Sequence, residues 1–67
     1  MKILVKNYRK EAGMTKVALA AKAGITRQYL AQIEEGLSIP TVAVLYRISK
    51  VFKCKLDDLV ADDEAEK

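Results

Sequence analysis

The sequence predicts an all-α fold built from five short helices. Threonine stands at positions 15, 26 and 41, each time directly before a stretch with helical apolar spacing. Glycine stands at positions 13, 24 and 36, each time directly after such a stretch. No alternation of apolar and polar residues runs beyond a few positions, and there is no internal repeat.

The elements follow in order. A first helix is expected from Lys2 or Ile3 to Ala12, with Val5, Tyr8 and Ala12 on one side and Gly13 ending it. Thr15 caps a second helix, Lys16 to Ala23, whose inward residues are Leu19, Ala20 and Ala23. Gly24 ends that helix, Thr26 caps a third from Arg27 to Glu35, and Gly36 closes it. The segment Leu37-Ser38-Ile39-Pro40 is a loop held extended by the proline. Thr41 then caps a fourth helix, Val42 to about Phe52, with Leu45, Ile48 and Phe52 on one face and Val44 and Val51 beside it. A short fifth helix is expected from Leu56 to Val60, weakly capped by Lys55 but with Asp57 and Asp58 well placed against its positive end. From Ala61 onward ADDEAEK offers nothing to bury and is expected to fray. The chain therefore divides into one domain, residues 1–60, and an acidic tail, residues 61–67.

Composition narrows the function. Sixty-seven residues, 51% of them apolar, suffice for one small core. One cysteine and no histidine exclude a disulfide framework and a Cys/His zinc site within the chain. The lone thiol suits a reducing compartment, and Cys54 reads as a small buried hydrophobe. No apolar run reaches membrane-spanning length, and MKILVK lacks the apolar region and cleavage site of a signal peptide. The expected location is the cytoplasm. With no histidine, a buried thiol, and Ser38 and Ser49 lacking an evident base, catalysis is not expected. The carboxylates after Asp57 read as solvated, so neither metal nor cofactor is implied.

Charge is unevenly spread. Residues 1–56 hold eleven Lys/Arg against three Asp/Glu, a net +8, and residues 57–67 hold six Asp/Glu against Lys67, a net −5. A basic body with an acidic end fits a polyanion binder and also fits a plain solvated surface with a solubilising tail.

The third helix gives this charge a direction. At about 100° per residue, Leu30 and Ile33 fall within about 60° of each other and define the buried side. Gln28, Ala31, Gln32 and Glu35 lie opposite, Arg27 and Tyr29 on the two borders, and Glu34 near the core edge. The link Ala-Gly-Ile-Thr is so short that the second and third helices must cross steeply, leaving the outer face of the third projecting. A projecting helix about 10–12 Å wide fits the major groove of B-DNA.

The stretch TKVALAAKAGITRQYLAQIEEG, with Pro40 and LDDL at 56–59, resembles the phage-repressor/Cro-type (XRE) helix-turn-helix family. The matching positions are Lys16, Leu19, Ala20, Gly24, Ile25, Leu30, Ile33, Glu34 and Gly36, with Val5 and Arg9 upstream. The resemblance runs from about Leu4 to Val60 and implies a five-helix, lambda-repressor-like domain with the helix-turn-helix in helices 2 and 3. It places Arg27, Gln28 and Gln32 at base-reading positions. Glutamine suits adenine N6/N7, and arginine suits guanine or a phosphate. Thr26, Tyr29 and Ser38 fall at groove-border or phosphate positions. In the family the positions of Arg9 and Glu34 form a salt bridge that ties the first helix to the recognition helix.

Lys16 breaks a local rule, since a cation in the first turn opposes the helix dipole. A phosphate bound at that helix end would remove the conflict. The family commonly has Gln there as a phosphate contact. The chain also departs from the family. Glu35 stands where an Asn often meets a phosphate, and Ala18 stands where a capping box would want Glu.

The function implied is a sequence-specific regulator of transcription, a repressor, bound to double-stranded DNA as a homodimer on a pseudo-palindromic site, with no small-molecule substrate. Phe52, Leu56, Leu59 and Val60 are candidate dimer residues, as are Leu37 and Ile39 in the loop. The alternative is an antitoxin-like interaction module of the same fold, toward which Glu35 and the acidic tail lean.

Overall fold

Three threonine hydroxyls start three of the helices. The computed structural model describes residues 2–61. Thr15 accepts from the Ala18 amide at 3.1 Å, Thr26 from Tyr29 at 3.0 Å and Thr41 from Val44 at 3.2 Å. Each bond satisfies an amide that the first helical turn leaves without a partner. The helices so started are α2 (Lys16–Ala23), α3 (Arg27–Glu34) and α4 (Val42–Phe52). The first, α1 (Val5–Glu11), has no such cap. Its entry is fixed instead by the Leu4 amide, which donates to the Leu59 carbonyl at 2.8 Å.

All four helices end in the same way. An amide two or three residues past the last helical residue reaches back five positions, and the amide before it reaches back three. The pairs are Met14 to Arg9 and Gly13 to Lys10, Ile25 to Ala20 and Gly24 to Ala21, Leu37 to Gln32 and Gly36 to Ile33, and Cys54 to Ser49 and Lys53 to Lys50. This exit needs one left-handed residue. Glycine supplies it three times, but at α4 the residue is Lys53, at φ 57°. A side chain there costs about 1–2 kcal/mol in backbone strain.

The helices enclose a core of Val5, Leu19, Ala20, Ala23, Leu30, Ile33, Val44, Leu45, Ile48 and Leu59. α2 lies against both α3 and α4, and α1 packs on α3. The buried Ser49 hydroxyl donates to the Tyr46 carbonyl at 2.6 Å, so the one polar side chain of the α4 core face is satisfied.

The chain ends differ from the sequence expectation. α1 starts at Val5, because Lys2–Ile3 form a strand, β1, paired antiparallel with β2 (Val60–Ala61) in the register Lys2 to Ala61 and Ile3 to Val60. Ala12 is exposed, and Arg9 takes the buried place beside Val5. The fifth helix is a single 3-10 turn, Leu56–Leu59, too short for an α-helical ladder. In that tighter turn Leu56 and Leu59 share a side, and the Asp58 carboxylate accepts from the Lys55 amide at 3.1 Å. Ala61 is held in the ribbon, so the expectation that it frays is corrected. Residues 62–67 of the expected acidic tail lie outside the described residues.

Among the described residues one ion pair crosses the domain. Arg9 Nε donates to Glu34 Oε2 at 2.7 Å and Nη2 to Oε1 at 3.2 Å, while Nη1 donates to the Met14 carbonyl at 2.9 Å. The side chains are 10% and 2% exposed, so both charges have left water. Cys54 packs against the core edge, and burial pushes its thiol pKa up, with the Asp58 charge adding in the same direction.

Replacing Lys53 by Gly relieves the left-handed strain and should stabilise the domain by roughly 0.5–1 kcal/mol, a rise of about 3–6 °C in melting temperature. Glu34→Gln leaves a buried guanidinium without its counter-charge and should cost about 3–5 kcal/mol in urea unfolding. The double change Arg9→Met/Glu34→Leu should recover most of that loss, and a double variant as unstable as Glu34→Gln would refute the unpaired-charge explanation. At pH 8 Cys54 stays more protonated when folded than when unfolded. Its reaction with an aromatic disulfide reagent should be slower in buffer than in urea.

Candidate nucleic-acid interface

The turn between α2 and α3 is only Gly24-Ile25-Thr26. Gly24 sits at φ 73°, and Ile25 folds back onto the core while its amide closes the end of α2. Thr26 then restarts the chain as α3. Left-handed glycine, apolar anchor and cap thus fix a steep crossing within three residues.

α3 is held from one side. Leu30 and Ile33 are fully buried, and Tyr29 packs against the core edge. On the opposite side Arg27, Gln28 and Glu35 are exposed, whereas Ala31 and Gln32 are half-buried. The helix therefore presents Arg27 and Gln28 as its freest long polar side chains, near its N-terminal end.

Gln32 is less free than its helical position suggests. Its side-chain oxygen accepts from the Ser38 hydroxyl at 3.4 Å, and its carbonyl accepts from the amides of Leu37 at 2.9 Å and Ser38 at 3.3 Å. The loop after α3 folds back over this residue. With the oxygen engaged, the side-chain amide donors remain for an outside partner. Sequence spacing places Gln28 and Gln32 on one face but carries no sign of this tether, which depends on the path of the loop.

The remaining candidates take distinct places. Lys16 is the first residue of α2 and is half-buried. Thr26 is exposed, and its oxygen accepts from Tyr29, which leaves its hydroxyl proton free to donate. Ser38 is half-buried in the loop. Arg9 and Glu34 stand behind α3, where they orient it from the core side. Among the dimer candidates Phe52, Leu56 and Val60 are half-buried at the surface of the α4 and ribbon end. Leu59, at 0% exposure, belongs wholly to its own core and offers a second chain no surface, a correction to the sequence reading. The loop and the start of α4 expose Leu37 (73%), Ile39 (75%) and Val42 (72%).

Among the described residues no helix is long and apolar enough to cross a membrane. The arrangement is a basic domain with a projecting helix end, a cation at the start of the preceding helix, and loop hydroxyls and amides beside it. Such an assembly sets a cation and hydrogen-bond donors at its margins and free polar side chains at its centre.

Comparison with known proteins agrees with this geometry. The Helix-turn-helix family model matches residues 5–59. An HTH-type transcriptional regulator of Archaeoglobus fulgidus is 34% identical over 65 residues, covering 96% of this chain and 93% of that protein. The N-terminal DNA binding domain of SinR from Bacillus subtilis superposes with a TM-score of 0.79 at 35% identity, covering 88% of this chain and 87% of that one. A chain of the SinR/SinI protein complex gives a TM-score of 0.79 at 35% identity, covering 92% of this chain and 67% of that one. This chain belongs to the helix-turn-helix (XRE) family of transcriptional regulators, and its fold is that family's DNA-binding domain.

Proposed function

We propose that the protein is a cytoplasmic, sequence-specific repressor that binds a pseudo-palindromic operator as a homodimer. The observation that carries the reading is the outer side of α3, where Arg27 and Gln28 project from a helix fixed only from behind. Gln28 has both its oxygen and its amide available to pair with adenine N6/N7, and Arg27 reaches guanine or a phosphate. Gln32, tethered by Ser38, contributes as a donor toward a base acceptor. Lys16, Thr26, Tyr29 and Ser38 hold the flanking backbone.

Dimerisation follows from magnitude. One bidentate contact discriminates by about 1–3 kcal/mol, so a single α3 gives too little specificity, and two half-sites about one helical turn apart double it. Phe52, Leu56 and Val60 supply an apolar margin for the pairing, with Leu37 and Ile39 as the alternative surface.

A second reading is favoured by one observation. Glu35 is exposed at the end of α3, where a carboxylate repels a passing phosphate. In that reading the domain is an interaction module that binds a protein partner and reads no DNA by itself.

Selection of bound duplexes from a random pool at near-physiological salt separates the two. A repressor of this design should enrich a two-fold symmetric motif, whereas no enrichment, with only weak salt-sensitive binding, would leave the interaction module. On the selected operator, Gln28→Ala should lose about 1–3 kcal/mol and relax preference at one base pair per half-site. Lys16→Ala should weaken binding to all sequences alike and lower the salt slope by about 1 per half-site. Identical losses from both variants, with circular dichroism unchanged, would contradict this division of roles.

A further inference from the structure

A second concave surface lies away from the outer side of α3. It is a hollow of about 760 Å³ between the C-terminal half of α2, the turn after α1 and the outer side of α4. Its cations are Lys22, Arg47 and Lys50, and among the described residues no carboxylate lines it. Tyr46 stands in its wall with its residue surface 53% exposed, and Met14 and Phe52 add apolar surface. None of the base-reading or flanking candidates contributes to it. Lys22 follows Lys16 by six residues, about 120° around the helix, so α2 turns a different side to this hollow.

The three cations come from two helices and line one hollow, where Lys22 and Lys50 stand in the last turns of α2 and α4 and the negative helix ends favour positive charge. Lys50 Nζ lies over the Tyr46 ring, 5.2 Å from its centre, a cation–π contact. Arg47 reaches back toward the turn glycine, where a Cβ on Gly24 would stand 3.7 Å from its Nη1. The volume falls within the range of small-molecule sites, roughly 300–1,000 Å³.

We propose that this hollow is a binding site for a small amphipathic anion, a carboxylate, phosphate or sulfonate carried on an apolar or aromatic body. The guanidinium of Arg47 takes the anionic head in its planar fork, and Lys22 and Lys50 complete the charge balance. The body of the ligand lies on Met14 and the exposed part of Tyr46. A neutral body of the same shape lacks the charge pairing, and an inorganic anion lacks the apolar contact, so each alone binds more weakly.

The test uses the full chain and two probes, 1-anilinonaphthalene-8-sulfonate and its uncharged counterpart N-phenyl-1-naphthylamine. The sulfonate should bind saturably, one per chain, and at least tenfold more tightly than the neutral probe. Amide shifts in a ¹⁵N–¹H titration should centre on Lys22 and on residues 46–52. Arg47→Gln and Lys22→Gln should each weaken the sulfonate at least threefold with the thermal transition intact, while Gln28→Ala leaves it unchanged. Equal affinity for the two probes overturns the proposal. So do shifts centred on Leu37, Ile39 and Val42, or unaltered binding in both charge variants.

Discussion

One buried ion pair, from Arg9 of α1 to Glu34 at the end of α3, locks that helix in the crossing that the Gly24-Ile25-Thr26 turn sets up. α3 is eight residues long and fully buries two side chains, Leu30 and Ile33. Two apolar anchors hold a helix against a core but leave its rotation and tilt loosely defined. The fork of Arg9 on Glu34 supplies the missing constraint, because two parallel hydrogen bonds accept one relative orientation. Its third bond, to the Met14 carbonyl, ties the same guanidinium to the turn leading into α2. One side chain thereby references α1, the α1–α2 turn and α3 to one another. Removing two charges from water is expensive, so the pair need not add net stability. What it contributes is geometry, and every residue on the outer side of α3 inherits that geometry.

The interior around this pair is small. Most of it is leucine and isoleucine, and the two alanines, Ala20 and Ala23, let α2 approach its neighbours closely. Local hydrogen bonds compensate for the modest apolar burial: three threonine caps, four helix ends of one design, and a satisfied serine under α4. The capping bonds are short-range in sequence, and that is why they can be read from the chain. A threonine before a helical pattern and a glycine after it each act within five residues, so both limits of α2 and the starts of α3 and α4 are legible in the chain, while α3 ends at Glu34, one residue short of the expected Glu35, and α4 ends without a glycine at Lys53.

The sequence was silent where the determining contact is distant. β1 and β2 are two residues each, too short to display an alternating pattern, and they pair across nearly the whole chain. Without that pairing in view, Lys2 and Ile3 look like the beginning of α1 and Ala61 looks like the beginning of a tail. Leu59 is a candidate dimer residue from the sequence, but the 3-10 turn carries it into the core. In the candidate interface the helical positions of Arg27, Gln28 and Gln32 were legible, whereas the hold of Ser38 on Gln32 was not. The cation-lined hollow was equally hidden, since Lys22 and Arg47 are far apart in sequence and meet only because α2 packs on α4.

The β1–β2 ribbon has a mechanical consequence. Lys2 and Ala61 are register partners, so any segments attached before the one and after the other leave the domain side by side. A force drawing two such segments apart would load the ribbon like a zipper, opening its bonds one after another rather than all at once. The peeling would run from that edge to the bond between Leu4 and Leu59, and only then reach the helices. Tension between flanking segments is therefore absorbed first at the end of the molecule where α1 begins, and α3 is shielded until the ribbon has parted.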